Sequence, residues 1–231
     1  MKDHSQKSIC LYFALAVICL VNLWACSDGG GFSVGDVCPV DGTNRYGEAN
    51  RGVFVDERDG NIYKYTTIGD QVWMAENLNH KAEFTTCYGG DESNCDAWGR
   101  LYFLAGQKPT GTFDYDYLDS ICPPGWHVPT LDEWKRMIKN VGDFEDRETA
   151  NRLNSTSLWE DPSKNGDDEC GFSIIPSGKA YDFKQGVKLL SCAHFVTATM
   201  KLPAWLYEIE VCFNIQIYAS DDGMSIRCVK D

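Results

Sequence analysis

The first pattern along the chain is an apolar run of 13 residues, Ile9 to Val21. Lys2 and Lys7 precede it, and Leu23-Trp24-Ala25-Cys26 follows, with small Ala25 just before a cysteine. A positive start, an apolar centre and a small-residue boundary are the layout of a secretory signal, expected here over residues 1–25. A spanning helix takes about 20 apolar residues, so an uncleaved anchor is the weaker alternative. Ser27 to Asp36 is glycine-rich and reads as a flexible spacer. The segment to about Arg51 has no regular period, with Cys38 as its staple.

Val53-Phe54-Val55 begins a strand pattern. Asp59-Gly60 signals a hairpin, Ile62 to Ile68 is the return strand, and Gly69-Asp70 turns into Gln71 to Met74. The three runs predict a meander. Residues 79–120 carry little periodicity; within them Trp98 to Phe103 fits a short helix or a short strand. Thr130-Leu131-Asp132-Glu133 has capping-box spacing, and Leu131, Trp134, Ile138 and Val141 then recur on one helical face until Gly142. A shorter helix is expected over Arg147 to Leu153.

Strands are expected at Gly171 to Ile175, His194 to Thr199, Leu206 to Tyr218, and Met224 to Val229. In the third of these, Tyr207, Ile209, Val211 and Phe213 alternate with Glu208 and Glu210, which predicts a half-exposed strand with its glutamates in water. Asp222-Gly223 supplies the last hairpin turn. Few helices and many short strands predict an α+β fold with mostly antiparallel twisted sheet and about two flanking helices.

Composition adds a core and a compartment. Of 231 residues, 43% are apolar and 13% aromatic, which argues against disorder. The formal charge is −13 and becomes one unit more negative when residues 1–25, with two lysines and one aspartate, are removed. Such a surface repels nucleic acid and anionic membrane.

Cysteine use points outside the cytoplasm. The ending Leu-x-Ala-Cys resembles a bacterial lipobox, in which the cysteine receives a diacylglyceryl group and becomes residue one. Trp24 departs from that pattern, where a small residue is usual. Multiple buried acyl chains anchor stably where one does not. Cys26 as a disulfide half is the alternative. Of 11 cysteines, Cys10 and Cys19 leave with the signal and Cys26 takes lipid. Cys38, Cys87, Cys95, Cys122, Cys170, Cys192, Cys212 and Cys228 remain, an even set without a C-x-x-C pair, expected to form disulfides. Their connectivity is open, although Cys87 and Cys95 flank a short loop that can close on itself.

Several segments resemble the Fibrobacter succinogenes major paralogous domain. They are Asp59 to Tyr63, Ile68 to Leu78 with its W-M-A-E-N-L block, Gly99 to Tyr102, and Cys122-Pro123-Pro124-Gly125-Trp126-His127-Val128-Pro129-Thr130. Glu133-Trp134, Gly171 to Ser173 and Ser225 to Asp231 continue the likeness. The resemblance implies a secreted or lipid-anchored bacterial protein and carries no reaction with it. It gives three parts: a signal peptide over 1–25, a lipidated N-terminus and linker over 26–52, and the domain over 53–231. Where the family usually has Trp-Trp-Ser-Ser-Thr, this chain has Ala193 to Thr199, so a ligand surface built on those tryptophans would be altered here. The block around Trp126 and Trp134 is also similar to C-type-lectin-like and sulfatase-modifying folds. That likeness implies helices flanking a twisted sheet, with the chain ends together. A Cys122–Cys228 bond would then tie the last strand to the start of the capped helix.

Few constellations carry chemistry. Gly31-Phe32-Ser33-Val34-Gly35 matches G-x-S-x-G, yet lies in the spacer rather than on a strand-to-helix elbow. Asp161, Asn165, Asp167 and Glu169 follow the first half of a calcium loop, but Phe172 stands where the bidentate glutamate belongs, so a solvated acidic turn is the alternative. Asp114, Tyr115 and Tyr117 mix aromatic faces with a carboxylate, as carbohydrate surfaces do; aromatics packed inward are the alternative. His127 reads as structural, and Trp73, Trp98, Trp126 and Trp134 as core. No spacing selects an acid/base pair. The expectation is a lipid-anchored, non-enzymatic binding or adhesion module at the outer membrane or cell surface. Its partner would be plant polysaccharide or a surface protein, and calcium is the one cofactor suggested. An extracellular enzyme and a structural envelope protein are the alternatives.

Overall fold

Alternation and turn chemistry produce the first sheet as the sequence leads one to expect. In a computed structural model describing residues 33–104, 115–182, 185–187, 191–202 and 205–231, β1 (Arg51–Val55), β2 (Ile62–Ile68) and β3 (Gln71–Met74) form an antiparallel meander. Val55 pairs with Ile62, and Ile68 with Gln71. Gly69 at φ 61° makes the second turn, and a Cβ there would lie 2.1 Å from Asn140 Nδ2, so only glycine fits. Next come β4 (Thr85–Thr86) and β5 (Leu101–Tyr102), which pair with each other, and β6 (Trp126–His127).

Five α-helices are seen among the described residues: α1 (Val34–Val37), α2 (Glu92–Trp98), α3 (Tyr115–Ile121), α4 (Leu131–Val141) and α5 (Arg147–Leu153). Both sides of the capping box form at α4: Thr130 Oγ1 accepts from the Glu133 amide at 3.2 Å, and Glu133 accepts from the Thr130 amide at 2.8 Å. The apolar stripe of α4 buries Trp134 against Trp73 of β3 at 4.9 Å between ring centroids. Phe172 meets both indoles edge-on at 5.9 Å. Burying one such side chain is worth about 1.5–3 kcal/mol, so these rings dominate this part of the core. Trp98 in α2 and Gly99, at φ 77°, turn the chain into β5, so the ambiguous 98–103 stretch is helix end, turn and strand together.

The second sheet departs from expectation. After the small ladder of β7 (Lys179–Asp182) and β8 (Gln185–Val187), β9 (Ala193–Leu202), β10 (Trp205–Val211) and β11 (Ile215–Ser220) lie in the order β11-β10-β9. The expected single strand from Leu206 to Tyr218 is therefore a hairpin. Its turn is at 212–214, where the Cys212 amide donates to Asn214. Gly171 to Ile175 is not a strand: Asp168 holds the Ser173 amide and Arg227 takes the carbonyls of Phe172 and Ser173, leaving only a bridge at Ile174. Met224 to Val229 changes partner almost residue by residue, from Tyr102 to His194 to Leu78. Only β12 (Val229–Lys230) joins a ladder, between β3 and β6. Asp222-Gly223 is likewise no hairpin turn, since Gly223 pairs with Ala180 of β7.

The compact unit runs from Val34 to Asp231. Residues 34–52, expected as linker, belong to it: Val34 and Val37 pack on the core and Cys38 is buried within it. The signal segment, Cys26 and residues 27–32 lie outside the described residues. The eight cysteines expected to pair do so, as Cys38–Cys170, Cys87–Cys95, Cys122–Cys228 and Cys192–Cys212. The closed loops differ greatly, with separations of 132, 8, 106 and 20 residues. In the chain-entropy account the two long loops are each worth about 5 kcal/mol and the Cys87–Cys95 loop about 2.5. Replacing Cys122 and Cys228 by serine should thus cost roughly twice as much as replacing Cys87 and Cys95. Denaturant unfolding of the two double variants measures the difference.

Candidate functional site

The two faces of the β9–β10–β11 sheet are unlike. Phe195, Ile209, Val211 and Ile215 point to the core, where Phe195 packs on Trp134 at 5.2 Å. The opposite face carries His194, Glu208 and Glu210. Positions 208 and 210 are two apart on one strand and so share a face. Glu210 is paired across the ladder with His194, and Glu208 with Tyr218 on the other side.

This face is not open water. Lys179 of β7 reaches over it, and Glu208 is only 1% exposed. His194 Nδ1 lies 2.8 Å from Glu208 Oε1 and 3.6 Å from Glu210 Oε2. Lys179 Nζ stands 3.5 Å from Glu208 Oε1 and 3.1 Å from Asp222 Oδ2. Burial pushes the Glu208 carboxyl up, but the His194 hydrogen bond and the His194 and Lys179 charges outweigh it and hold it below the ordinary carboxylate range. Burial pulls Lys179 down, and the charges of Glu208 and Asp222 raise it above the usual lysine value. Glu208 Oε2 is buried without a hydrogen-bond partner among the described residues.

Lys179, Glu208, Glu210 and Asp222 line a cleft of about 440 Å³ together with Trp205, Tyr218 and Asp221. Trp205 is 45% exposed and Tyr218 47%. An ionised carboxylate deep in a cleft with half-open aromatic rings beside it can accept hydroxyl hydrogen bonds while the rings cover an apolar face.

The sequence-expected site residues go elsewhere. Asp161 accepts from the Ser163 amide at 2.9 Å, Asn165 Oδ1 from the Trp159 amide at 3.4 Å, and Glu169 Oε2 lies 3.6 Å from Arg152 Nε. The Asp167 amide donates to Asn151 of α5 at 2.9 Å, and a Cβ at Gly166 would stand 2.1 Å from the same carbonyl. The segment is pressed on the end of α5 as an acidic turn. Among the described residues its carboxylates are not in a group of three converging His, Cys, Asp or Glu ligands. Asp114 lies outside the described residues, and Tyr115 begins α3. Tyr117 packs inward: its hydroxyl donates to the Glu83 carbonyl and its ring meets Phe84 edge-on at 5.8 Å.

The signature blocks build a different part of the fold from the cleft. Asn77 Nδ2 donates to the Trp98 carbonyl at 2.9 Å, and its Oδ1 accepts from Arg227 Nε at 2.8 Å. Burial lowers the Arg227 guanidinium to about 9, with the Asp168 charge opposing. Trp126 stacks on Phe54 at 4.5 Å. The sequence profile described as the Fibrobacter succinogenes major domain matches residues 66–230. The chain belongs to this family. No curated protein and no solved structure matches it. Within the Fibrobacter succinogenes major domain, His194 falls in the Ala193–Thr199 stretch that departs from the usual pattern, so the cleft lies away from the signature blocks. Two signals could have found it: glutamates two apart on a strand, and a histidine in the divergent stretch.

His127, in a signature block, closes a separate seam. Its Nε2 is 2.9 Å from Glu133 Oε1 and its Nδ1 is 2.6 Å from Asp231 Oδ1. The Glu133 hydrogen bond raises the His127 pKa; burial opposes this, and Asp231 adds to the rise. Burial pushes Glu133 up, but its bonds to His127 and Thr130 hold it at about 2. The His127 contribution is fully present below its ordinary 6.5 and fades as pH rises through the raised value. That of Glu133 is present above 4.5 and fades as pH falls toward about 2. The seam therefore stabilises most between about pH 4.5 and 6.5. The ring is partly open to water, so the effect should be about 0.5 kcal/mol. His127→Gln should flatten the decline in stability on the alkaline side of 6.5, read from melting temperatures across pH.

Proposed function

We propose that this member of the Fibrobacter succinogenes major domain family is an exported, lipid-anchored, non-enzymatic binding module. Its cleft beside β7, β10 and β11 takes the hydroxyl-rich face of a polysaccharide, plant cell-wall glycan being the class that the family resemblance suggests. The observation that carries this reading is the pairing of Trp205 and Tyr218, both about half exposed, with ionised and buried Glu208 in one cleft. Aromatic faces stack on sugar rings and a desolvated carboxylate accepts sugar hydroxyls. The formal charge of −13 repels polyanions and leaves neutral glycans as the compatible surface.

The anchor is Cys26, which receives its diacylglyceryl group and becomes residue one when residues 1–25 are removed, with the glycine-rich stretch that follows as spacer. Placement at the outer membrane or cell surface follows from that chemistry. Among the described residues no helix is long and apolar enough to cross a membrane. We further propose that the fold is C-type-lectin-like. Support comes from α4 and α5 beside the antiparallel sheets and from the contact of residues 46–48 with the segment at 230–231: Lys230 pairs with Glu48, and the Tyr46 hydroxyl donates to Asp231.

Retention of the purified chain on insoluble cellulose, xylan and mannan tests the binding reading. The expected outcome is retention on one of them, weakened at least tenfold by Trp205→Ala and Tyr218→Ala, without release of soluble sugar. Absence of retention on any glycan, or unchanged retention in both variants, would overturn it. Cys26→Ala should move the protein from the membrane fraction to the soluble one.

A further inference from the structure

The imidazole and carboxylates on the outer face of β9 and β10 stand as metal ligands do. We propose that His194, Glu208 and Glu210 hold a divalent transition-metal ion, zinc being the reference case, with its remaining coordination position open to the cleft. Three observations carry this.

The first is spacing. One ligand atom from each of the three residues lies within 4.8 Å of the other two. His194 Nδ1 is 2.8 Å from Glu208 Oε1 and 3.6 Å from Glu210 Oε2. Ligands on one tetrahedral zinc, each about 2.0–2.2 Å from the ion, stand about 3.3 Å apart. The measured separations bracket that value. The cluster needs only small side-chain adjustments to close on an ion.

The second is an unmet demand. Glu208 is buried on a central strand, and its Oε2 has no hydrogen-bond partner among the described residues. A buried carboxylate oxygen without a partner is costly, and such atoms in folded proteins usually mark a ligand or a strained site. Lys179 offsets part of the charge from the Oε1 side. When a metal takes the carboxylate, the Lys179 ammonium keeps Asp222 at 3.1 Å as its counter-ion, so no lysine charge is stranded.

The third is chemistry. One imidazole with two carboxylates suits zinc, manganese or iron(II) rather than calcium, which takes six to eight oxygens. Three protein ligands leave a position for water or substrate oxygen, and Glu208 and Glu210 line the same cleft as Trp205 and Tyr218. The second triad of this kind, Asp56, Asp59 and His80, is already filled: Arg58 binds Asp56 through Nε at 2.9 Å and through a terminal nitrogen at 2.7 Å.

The inference concerns the cleft discussed above but stands without the glycan reading, and its test contains no sugar. Zinc chloride is titrated into the chelator-treated, purified chain and followed by calorimetry and by the imidazole resonances of His80, His127 and His194. The expected result is one zinc per chain in the micromolar range or tighter, with the His194 signals shifted and those of His80 and His127 unmoved. His194→Gln and Glu210→Gln should each weaken binding at least about tenfold, since even outer-shell changes cost that much. His80→Gln should leave it unchanged, and excess calcium should not displace the zinc. The resonance readout needs no variant to fold. Absence of zinc binding, or binding that leaves the His194 signals in place, would overturn the proposal.

Discussion

Burying Arg227 takes a full positive charge out of water, and the groups that receive it are all uncharged. Its hydrogen bonds go to Asn77 Oδ1 and to the carbonyls of Phe172 and Ser173. Its guanidinium lies over the Phe172 ring at 4.8 Å and near the Phe195 ring at 5.7 Å. A desolvated cation is tolerable only when its donors are met, so the backbone at 172–173 must present carbonyls inward and cannot spend them on a sheet. The Phe172 ring is then fixed between Trp73 and Trp134, and Phe195 brings the second sheet to the same place. Both sheets and α4 are oriented by what this one side chain requires.

Legibility followed the range of the physics. The meander, the capping box and the short helix at Arg147–Leu153 are local events, decided by turn residues and by contacts three or four positions apart, and they stand where the pattern put them. The pairing of the eight cysteines was legible as a set because it follows from parity and compartment, while most of the partners come from the fold. The stretches at Gly171–Ile175 and Met224–Val229 looked like strands because extended apolar backbone does. What distinguishes them is that their polar groups are met by nearby Asp168 and by Arg227, Tyr102 and His194, which are distant in sequence.

The same limit explains the cleft. Alternation at Glu208 and Glu210 correctly says that the two share a face, and wrongly puts that face in water. Period two reports sidedness; it does not report whether β7 crosses above. Once Lys179 lies there, an apparently solvated glutamate becomes a buried anion with one oxygen met and one not. In the calcium-like stretch the backbone is packed on α5 and Asp161 caps a short turn. A chemically suggestive spacing has meaning only after the backbone has claimed its share of the side chains.

The position of β12 has a kinetic consequence. Val229 and Lys230 fill the slot between β3 and β6, so the largest sheet is closed by a segment far along the chain from β3. Until they arrive, β3 and β6 present unpaired edges toward one another, and the meander alone cannot complete its ladder. Joining segments so distant in sequence makes the topology strongly non-local, which slows folding. A chain that folds slowly stays threadable for longer.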